Sequence, residues 1–484
     1  MKTWMTYGYD KIVTDMPVPS ELKKSFSLSL TKGGKETCQF VVNSETDTQI
    51  SVKPVIDGVK CTVYYMPYTV PINGHQHTDP IIPYDGETVE VKAGISLPFF
   101  LEFESVEAGD YTASFEIAEN GNVEALTVAL HVWNFALPTE KAFSTACGIN
   151  VGRIAAFDKS EDVYKKYYDF FVENGLSPHK LPVDFLDDEA DKYMSDPRVT
   201  SFVLPHDDDE RVLACAAKIR SNPVWHKKAL FYSIDEPHTL ALIESFKQKV
   251  TRLRSLTPDI PSIVPVYTNL QMGEGKDQFE EMIPYLDLHC PKLCFWDDDR
   301  SYGRFLDYTP EKTFAERINE EMASGKRVWS YVCNAPHTPY SQLYIDTDGV
   351  MQRLLPWQHY MRGIVGFLYW GVTSWIGGDE SPWTQPNNGI PGENNIAIYG
   401  CGYLAYPGQP VGIDGPVATQ RLKILRDGLD DVELLYVAEN VLGREWVMEK
   451  VKEATPTLTS YTTYERFAEI RKEIGDAVEA ALAK

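Results

Sequence analysis

Short runs in which apolar and polar residues alternate recur through the first 138 residues, at 26–30, 37–42, 50–55, 61–66, 95–103, 111–117 and 125–135. A two-residue period is that of a strand with one buried face. Turn formers punctuate the runs, among them Gly33 and Gly34, Asp57 and Gly58, Gly109 and Asp110, and Asn120-Gly121-Asn122. No helical period intervenes. Regularly spaced short strands of this kind predict a β-sandwich, which Leu137 and Pro138 close.

From about residue 143 the pattern becomes strand, then amphipathic helix, repeated. Strands are predicted at 145–151, 177–183, 200–204, 230–234, 262–268, 286–293, 328–333 and 364–370, with helical segments at 162–173, 208–219, 240–253, 310–322 and 349–361 between them. After the fourth strand Thr239 is placed to cap a helix, with Leu242, Phe246, Val250 and Leu253 on one face. Eight such alternations predict a (β/α)8 TIM-type barrel, with irregular second and sixth crossovers. The competing doubly wound sheet carries a glycine-rich phosphate loop after its first strand. Here that strand runs into Gly148-Ile149-Asn150-Val151-Gly152-Arg153, which lacks the fingerprint.

A Gly/Pro/Trp-rich loop at 373–392, a hairpin at 396–406 and helices at about 416–442 and 464–482 complete the chain. The first of those helices pairs an apolar face (Leu422, Leu425, Leu429, Val432, Leu435) with a polar one (Arg421, Arg426, Asp427, Asp430, Asp431, Glu433). The predicted organisation is a β-sandwich domain over 1–140, a barrel over 141–410, and C-terminal helices packed on the barrel over 411–484.

The stretch at 228–238, KALFYSIDEPH, ends an apolar strand on two adjacent carboxylates, Asp235 and Glu236. Pro237 then removes a ladder donor and turns the chain. The bland reading is a carboxylate capping the next helix, or one paired with Lys228 or Arg254. The functional reading is stronger, because barrel enzymes set catalytic groups at the C-terminal ends of strands. Glycoside hydrolysis commonly uses two carboxylates, about 5–5.5 Å apart in retaining enzymes. Strand seven, however, ends Ser330-Tyr331-Val332-Cys333-Asn334-Ala335-Pro336, with no acid. The remaining route is substrate assistance, in which a sugar's 2-acetamido group attacks its own anomeric carbon. Glu236 is then the general acid/base, and Asp235 orients the amide and stabilises the oxazolinium charge.

Aromatic and amide side chains at other strand ends supply candidate substrate contacts: Tyr369, Trp370 and Trp375 after strand eight, Tyr331 and Asn334 on strand seven, Tyr267 and Asn269 on strand five, and Trp296 after strand six. Trp370 is the first choice for the wall of an acetamido pocket. Trp383 belongs to the same aromatic set. Any one such ring is more often core than ligand contact. His75 and His77, near Asp79, read as a loop rather than a metal site. His289, Cys290 and Cys294 have no zinc spacing, and Asp297 to Asp299 read as a solvated acidic loop. No metal or cofactor is expected.

Charge narrows the partners. The 484 residues carry 46 basic against 70 acidic side chains, a formal net charge of −24. Such a field repels phosphate backbones and anionic lipid surfaces. A neutral small molecule or glycan fits, nucleic acid does not, and a homo-oligomer is neither required nor indicated. The eight cysteines are scattered in apolar runs, as free thiols in a reducing compartment are. With no apolar leader after Met1 and no run of spanning length, the expected location is the cytoplasm.

Several stretches together resemble glycoside hydrolase family 123, also called domain of unknown function 4091. They are AGDYTASFEI at 108–117, VWNFALP at 132–138, IDEPH at 234–238, VWSYVCNAP at 328–336, RLLPWQHYMRGIVGFLYWGVTSW at 353–375, LAYPG at 404–408 and RLKILRDGLDDVELL at 421–435. The resemblance implies a β-sandwich followed by a (β/α)8 catalytic barrel, and an exo-acting, retaining β-N-acetylgalactosaminidase that uses the substrate's acetamido group. The family's Asp–Glu pair falls on Asp235 and Glu236. Where relatives often read Gly-Asp-Gly before LxYPG, this chain has Gly400-Cys401-Gly402, a departure that bears on specificity if that Asp contacts sugar.

The leading expectation is therefore an exo-β-N-acetylhexosaminidase, with β-GalNAc favoured by resemblance and a terminal amino sugar as substrate. One alternative is a glycosidase of non-acetamido sugars with Glu236 as acid and Asp297 as partner. Another is a catalytically idle barrel that binds glycans through its aromatic rings.

Overall fold

A computed structural model describes the chain except residues 70, 274, 298–304, 376–380 and 387–395. Residues 298 and 299 of the acidic run, and most of the loop predicted at 373–392, lie outside the described residues. The chain is multidomain and rich in both strand and helix.

The N-terminal strands form two five-stranded sheets. One has the order Lys2–Tyr7, Lys35–Asn43, Ser96–Glu104, Lys60–Tyr65, Ile82–Pro83, and the other Ser25–Lys32, Asn122–Ala136, Gly109–Glu119, Thr48–Ile56, Val89–Val91. Alternation sends Phe40, Phe99, Phe115, Val128 and their neighbours into one shared core, where the rings of Phe40 and Phe99 stack at 4.9 Å. All seven strands predicted over 26–135 are present, and Lys2–Tyr7, Ile82–Pro83 and Val89–Val91 are additional.

The following strands are parallel. Phe202–Val203, Ala229–Tyr232, Ser262–Val266, Leu288–Pro291 and Arg327–Val328 make one five-stranded sheet, and Ser144–Cys147, Gly366–Tyr369 and Ser330–Val332 a second, three-stranded one. Isolated parallel bridges, Cys147 with Pro178 and Lys292 with Tyr331, lie between these sheets. The described strands do not join into one closed barrel sheet, which corrects the closed (β/α)8 expectation. Two local causes are visible. The strand expected at 177–183 shrinks to a single bridge at Pro178, a residue without a ladder donor. The seventh strand is interrupted at Trp329, whose ring packs where Gly366 has no Cβ.

The helix Leu240–Leu256 starts as expected, with the Thr239 hydroxyl accepting from the Leu242 amide at 3.2 Å. Its buried face is Ile243, Phe246, Val250 and Leu253, so Ile243 replaces the predicted Leu242. The hairpin pairs Ala405–Pro407 with Pro416–Ala418 rather than spanning 396–406. Three helices, Gln420–Leu442, Arg444–Ala454 and Tyr464–Leu482, end the chain where two were expected.

The first of these is enclosed on both faces. Its expected polar face is buried rather than solvated, except for half-buried Asp430: Arg421, Arg426, Asp427 and Asp431 lie in ion pairs, and Glu433 accepts the Ala142 and Phe143 amides. Asp431 and Glu36, from the sandwich, share Arg353, whose nitrogens lie 2.8 Å from each carboxylate. Arg471 closes the cluster, 2.9 Å from Glu36. Arg421 pairs with Asp79 at 2.7 and 2.8 Å. Charges this buried persist only when paired, so the sandwich, the helix Gly349–Met361 and the C-terminal helices are tied into one body.

Candidate functional site

Strand Ala229–Tyr232 runs between Phe202–Val203 and Ser262–Val266, and its C-terminal end delivers Asp235 and Glu236. The bland pairings do not occur. Lys228 donates to the carbonyls of Met194 and Asp196, and Arg254 to Asp287 and the Pro284 carbonyl. Asp235 is exposed and accepts a hydrogen bond from the Tyr232 hydroxyl at 2.7 Å. Glu236 is half-buried, at φ +41°, a left-handed conformation that residues other than glycine rarely adopt. Its Oε1 accepts from the Tyr331 hydroxyl.

These groups border a cavity of about 180 Å³. Of the predicted residues, Asp235, Glu236, Tyr331, Asn334 and Trp370 line it, and Tyr232, Pro265, Cys333 and Leu368 complete the wall. Burial pushes the Glu236 carboxyl above its ordinary value, and the neighbouring Asp235 adds to that. The hydrogen bond from Tyr331 and the charges of Lys292 and His238 pull the other way without cancelling the rise. A carboxyl held protonated beyond the usual range, at the edge of a concave site, is equipped to deliver a proton.

Other predicted contacts serve elsewhere. Tyr369 is fully buried, its hydroxyl accepting the Gly402 amide at 3.0 Å; strand alternation turns Leu368 to the cavity instead. Trp375 is buried against Phe157 and Tyr167 and donates to the Ala405 carbonyl at 2.9 Å. Trp383 donates to the Pro407 carbonyl at 2.9 Å. Asn269 is buried between Asp277 and the Phe279 amide. Trp296 packs on Phe314, ring centroids 5.3 Å apart. Tyr267 stands beside the site, 5.7 Å from the His238 ring. Asp297 pairs with Arg362 and accepts the Leu458 amide, and does not line the cavity. Among the described residues no cluster of three metal-ligating side chains occurs.

Trp370 is positioned from two sides. A Cβ on Gly148 would lie 2.3 Å from the Trp370 carbonyl oxygen, so the residue that follows the strand Ser144–Cys147 must be glycine. Cys401 packs in a small buried cluster with Tyr344, Ile398 and Trp370. The departure at Gly400-Cys401-Gly402 therefore sits behind the indole wall, and Cys401 is fully buried.

Sequence reasoning missed Tyr232, Lys292 and His238. Lys292 is buried, with its ammonium 5.7 Å from the Tyr267 ring centroid. A charge inside the apolar run LHCPKLCFW was the available signal. A larger cleft of about 720 Å³ lies between the sandwich and helix Tyr464–Leu482, bordered by Tyr7, Phe26 and Lys472, and contains neither acid.

Residues 295–438 match the catalytic domain of glycoside hydrolase 123. The matched segment contains Tyr331, Asn334, Trp370 and Cys401, and begins after the acid pair. No curated protein matches the sequence. The fold is similar to that of a family 123 glycoside hydrolase from Clostridium perfringens, described in terms of glycolipid glycan hydrolysis, at 10% identity and TM-score 0.67 over 99% of this chain and 98% of that one. A glycosyl hydrolase family 2 member from Bacteroides cellulosilyticus (11% identity, TM-score 0.26, 75% and 45% covered) and a β-D-glucuronidase of Dictyoglomus thermophilum (10%, 0.31, 88% and 69%) match too loosely to carry an argument. The catalytic-domain match thus covers residues 295–438, and over the rest of the chain the likeness to a family 123 glycoside hydrolase is one of fold.

Proposed function

We propose that the chain is a retaining exo-β-N-acetylhexosaminidase, with β-GalNAc the favoured sugar, working by substrate assistance. In this reading Glu236 protonates the leaving oxygen while the 2-acetamido oxygen attacks the anomeric carbon, and Asp235 orients the amide N–H and stabilises the oxazolinium charge. Glu236 then takes a proton from the water that opens the intermediate. The observation that carries the reading is the division of environments within one adjacent pair. Glu236 is half-buried with a raised proton affinity, and Asp235 is exposed and hydrogen-bonded to Tyr232. Environments that separate two carboxyls in this way assign acid and partner roles. The indole of Trp370 beside the pair supports an apolar enclosure for the acetamido methyl, and a cavity of about 180 Å³ supports a single terminal sugar.

The reading places catalysis in a (β/α)8-type domain over 141–410, between a sandwich over 1–140 and helices over 411–484. Seven parallel strand positions, with the bridge at Pro178 in the place of the second strand and the bridge at Lys292 beside the seventh, support it. The test is a panel of aryl glycosides. Release from aryl β-N-acetylgalactosaminide, none from the plain β-galactoside, and inhibition by a thiazoline analogue are expected. Equal turnover of the plain galactoside would remove acetamido participation.

A further inference from the structure

Glu236 combines two features that oppose each other. Its φ is +41°, and the next residue is Pro237, which biases its predecessor toward extended backbone. Two side chains hold the turn. The carbonyl of Glu236 lies 2.6 Å from His238 Nδ1, which must carry the hydrogen because a carbonyl only accepts. The carbonyl of Pro237 accepts from Gln278 Nε2 at 2.9 Å. Gln278 is buried and its own amide is fixed, Oε1 accepting from the Thr268 hydroxyl at 2.9 Å and the Leu270 amide at 3.1 Å. The helix that follows does not need His238, because Thr239 caps it.

We propose that His238 and Gln278 are positioning residues, clamping the two carbonyls of the Glu236–Pro237 turn so that the left-handed backbone keeps the Glu236 carboxyl on Tyr331 and the cavity. Strained backbone at functional sites persists only where its surroundings over-determine it, and here a side chain of the turn itself and one from the helix Gln278–Met282 supply the determination. In extended backbone the side chain would leave the Tyr331 hydroxyl. The proposal rests on the reading of Glu236 as acid/base.

The experiment compares His238→Ala with His238→Asn, whose amide N–H reaches the place of Nδ1–H. On an aryl β-N-acetylgalactosaminide with a poor leaving group, His238→Ala is expected to lose kcat about 100-fold, the scale of an ångström's misplacement. KM should stay, a good leaving group should be nearly unaffected, and His238→Asn should recover most of the loss. Equal losses on both leaving groups, or no recovery in His238→Asn, overturn the proposal. Glu236→Gln is measured alongside; wild-type rates in that variant sink the acid/base reading instead.

Discussion

The Tyr331 hydroxyl donates to Oε1 of Glu236 across the mouth of the cavity, joining the end of strand seven to the end of strand four. Strand seven thus contributes a hydrogen-bond donor where paired-carboxylate enzymes place their second acid. The bond favours the charged form of Glu236, opposing the rise that burial causes. In Tyr331→Phe that opposition is lost and the carboxyl moves further up. The basic limb of the kcat/KM profile should shift to higher pH, with kcat reduced about 10-fold by the freer side chain. A pH–rate profile checks both; a limb moving to lower pH would contradict the assignment.

Trp370 forms a wall and touches no proton in transfer. Its truncation should therefore act on binding of ground state and transition state alike. Trp370→Ala is expected to raise KM by 10- to 100-fold, the scale of about 1.5–3 kcal/mol for an enclosed apolar contact, with kcat changed far less. Steady-state kinetics on one aryl glycoside separates the two parameters.

The buried Arg353 cluster makes a stability prediction. Burial acts to raise the carboxyls of Glu36 and Asp431, but Arg353 and Arg471 outweigh it and hold both below their ordinary values. Depressed carboxylates contribute stability above their unfolded values, and the contribution fades as pH falls through the folded ones. Arg353→Met leaves two carboxylates short of a partner. It should cost about 3–5 kcal/mol at neutral pH, less in acid. Chemical denaturation at two pH values tests this.

Glu236 behaves in the opposite sense. Its folded value lies above the ordinary 4.5, so its contribution is fully present below that pH and is lost as pH rises through the folded value. Glu236→Gln should therefore melt higher than the wild type at pH 8, with the difference vanishing near pH 4. This is the stability cost of a functional group.

Much of this was legible in the chain. Alternation exposed the seven sandwich strands, and the strand-then-acid pattern at 228–238 located the pair that borders the cavity. The aromatic contacts were read less well, because composition cannot say which way a strand end turns. Trp370 and Tyr331 face the cavity, whereas Tyr369 and Trp375 face the core. The polar face of the Gln420–Leu442 helix misled for a related reason. Its Arg residues looked solvent-facing, yet Glu102 and Asp79, the partners of Arg426 and Arg421, lie more than 300 residues away in sequence. Strand two was lost to Pro178, and the clamp on Glu236 was hidden because a positive φ leaves no mark in the sequence.

The most direct measurement is turnover by Glu236→Gln on an aryl β-N-acetylgalactosaminide with a poor leaving group, in protein shown to be folded. The account predicts a loss of several orders of magnitude in kcat, with substrate binding retained. Turnover at the wild-type rate would contradict it.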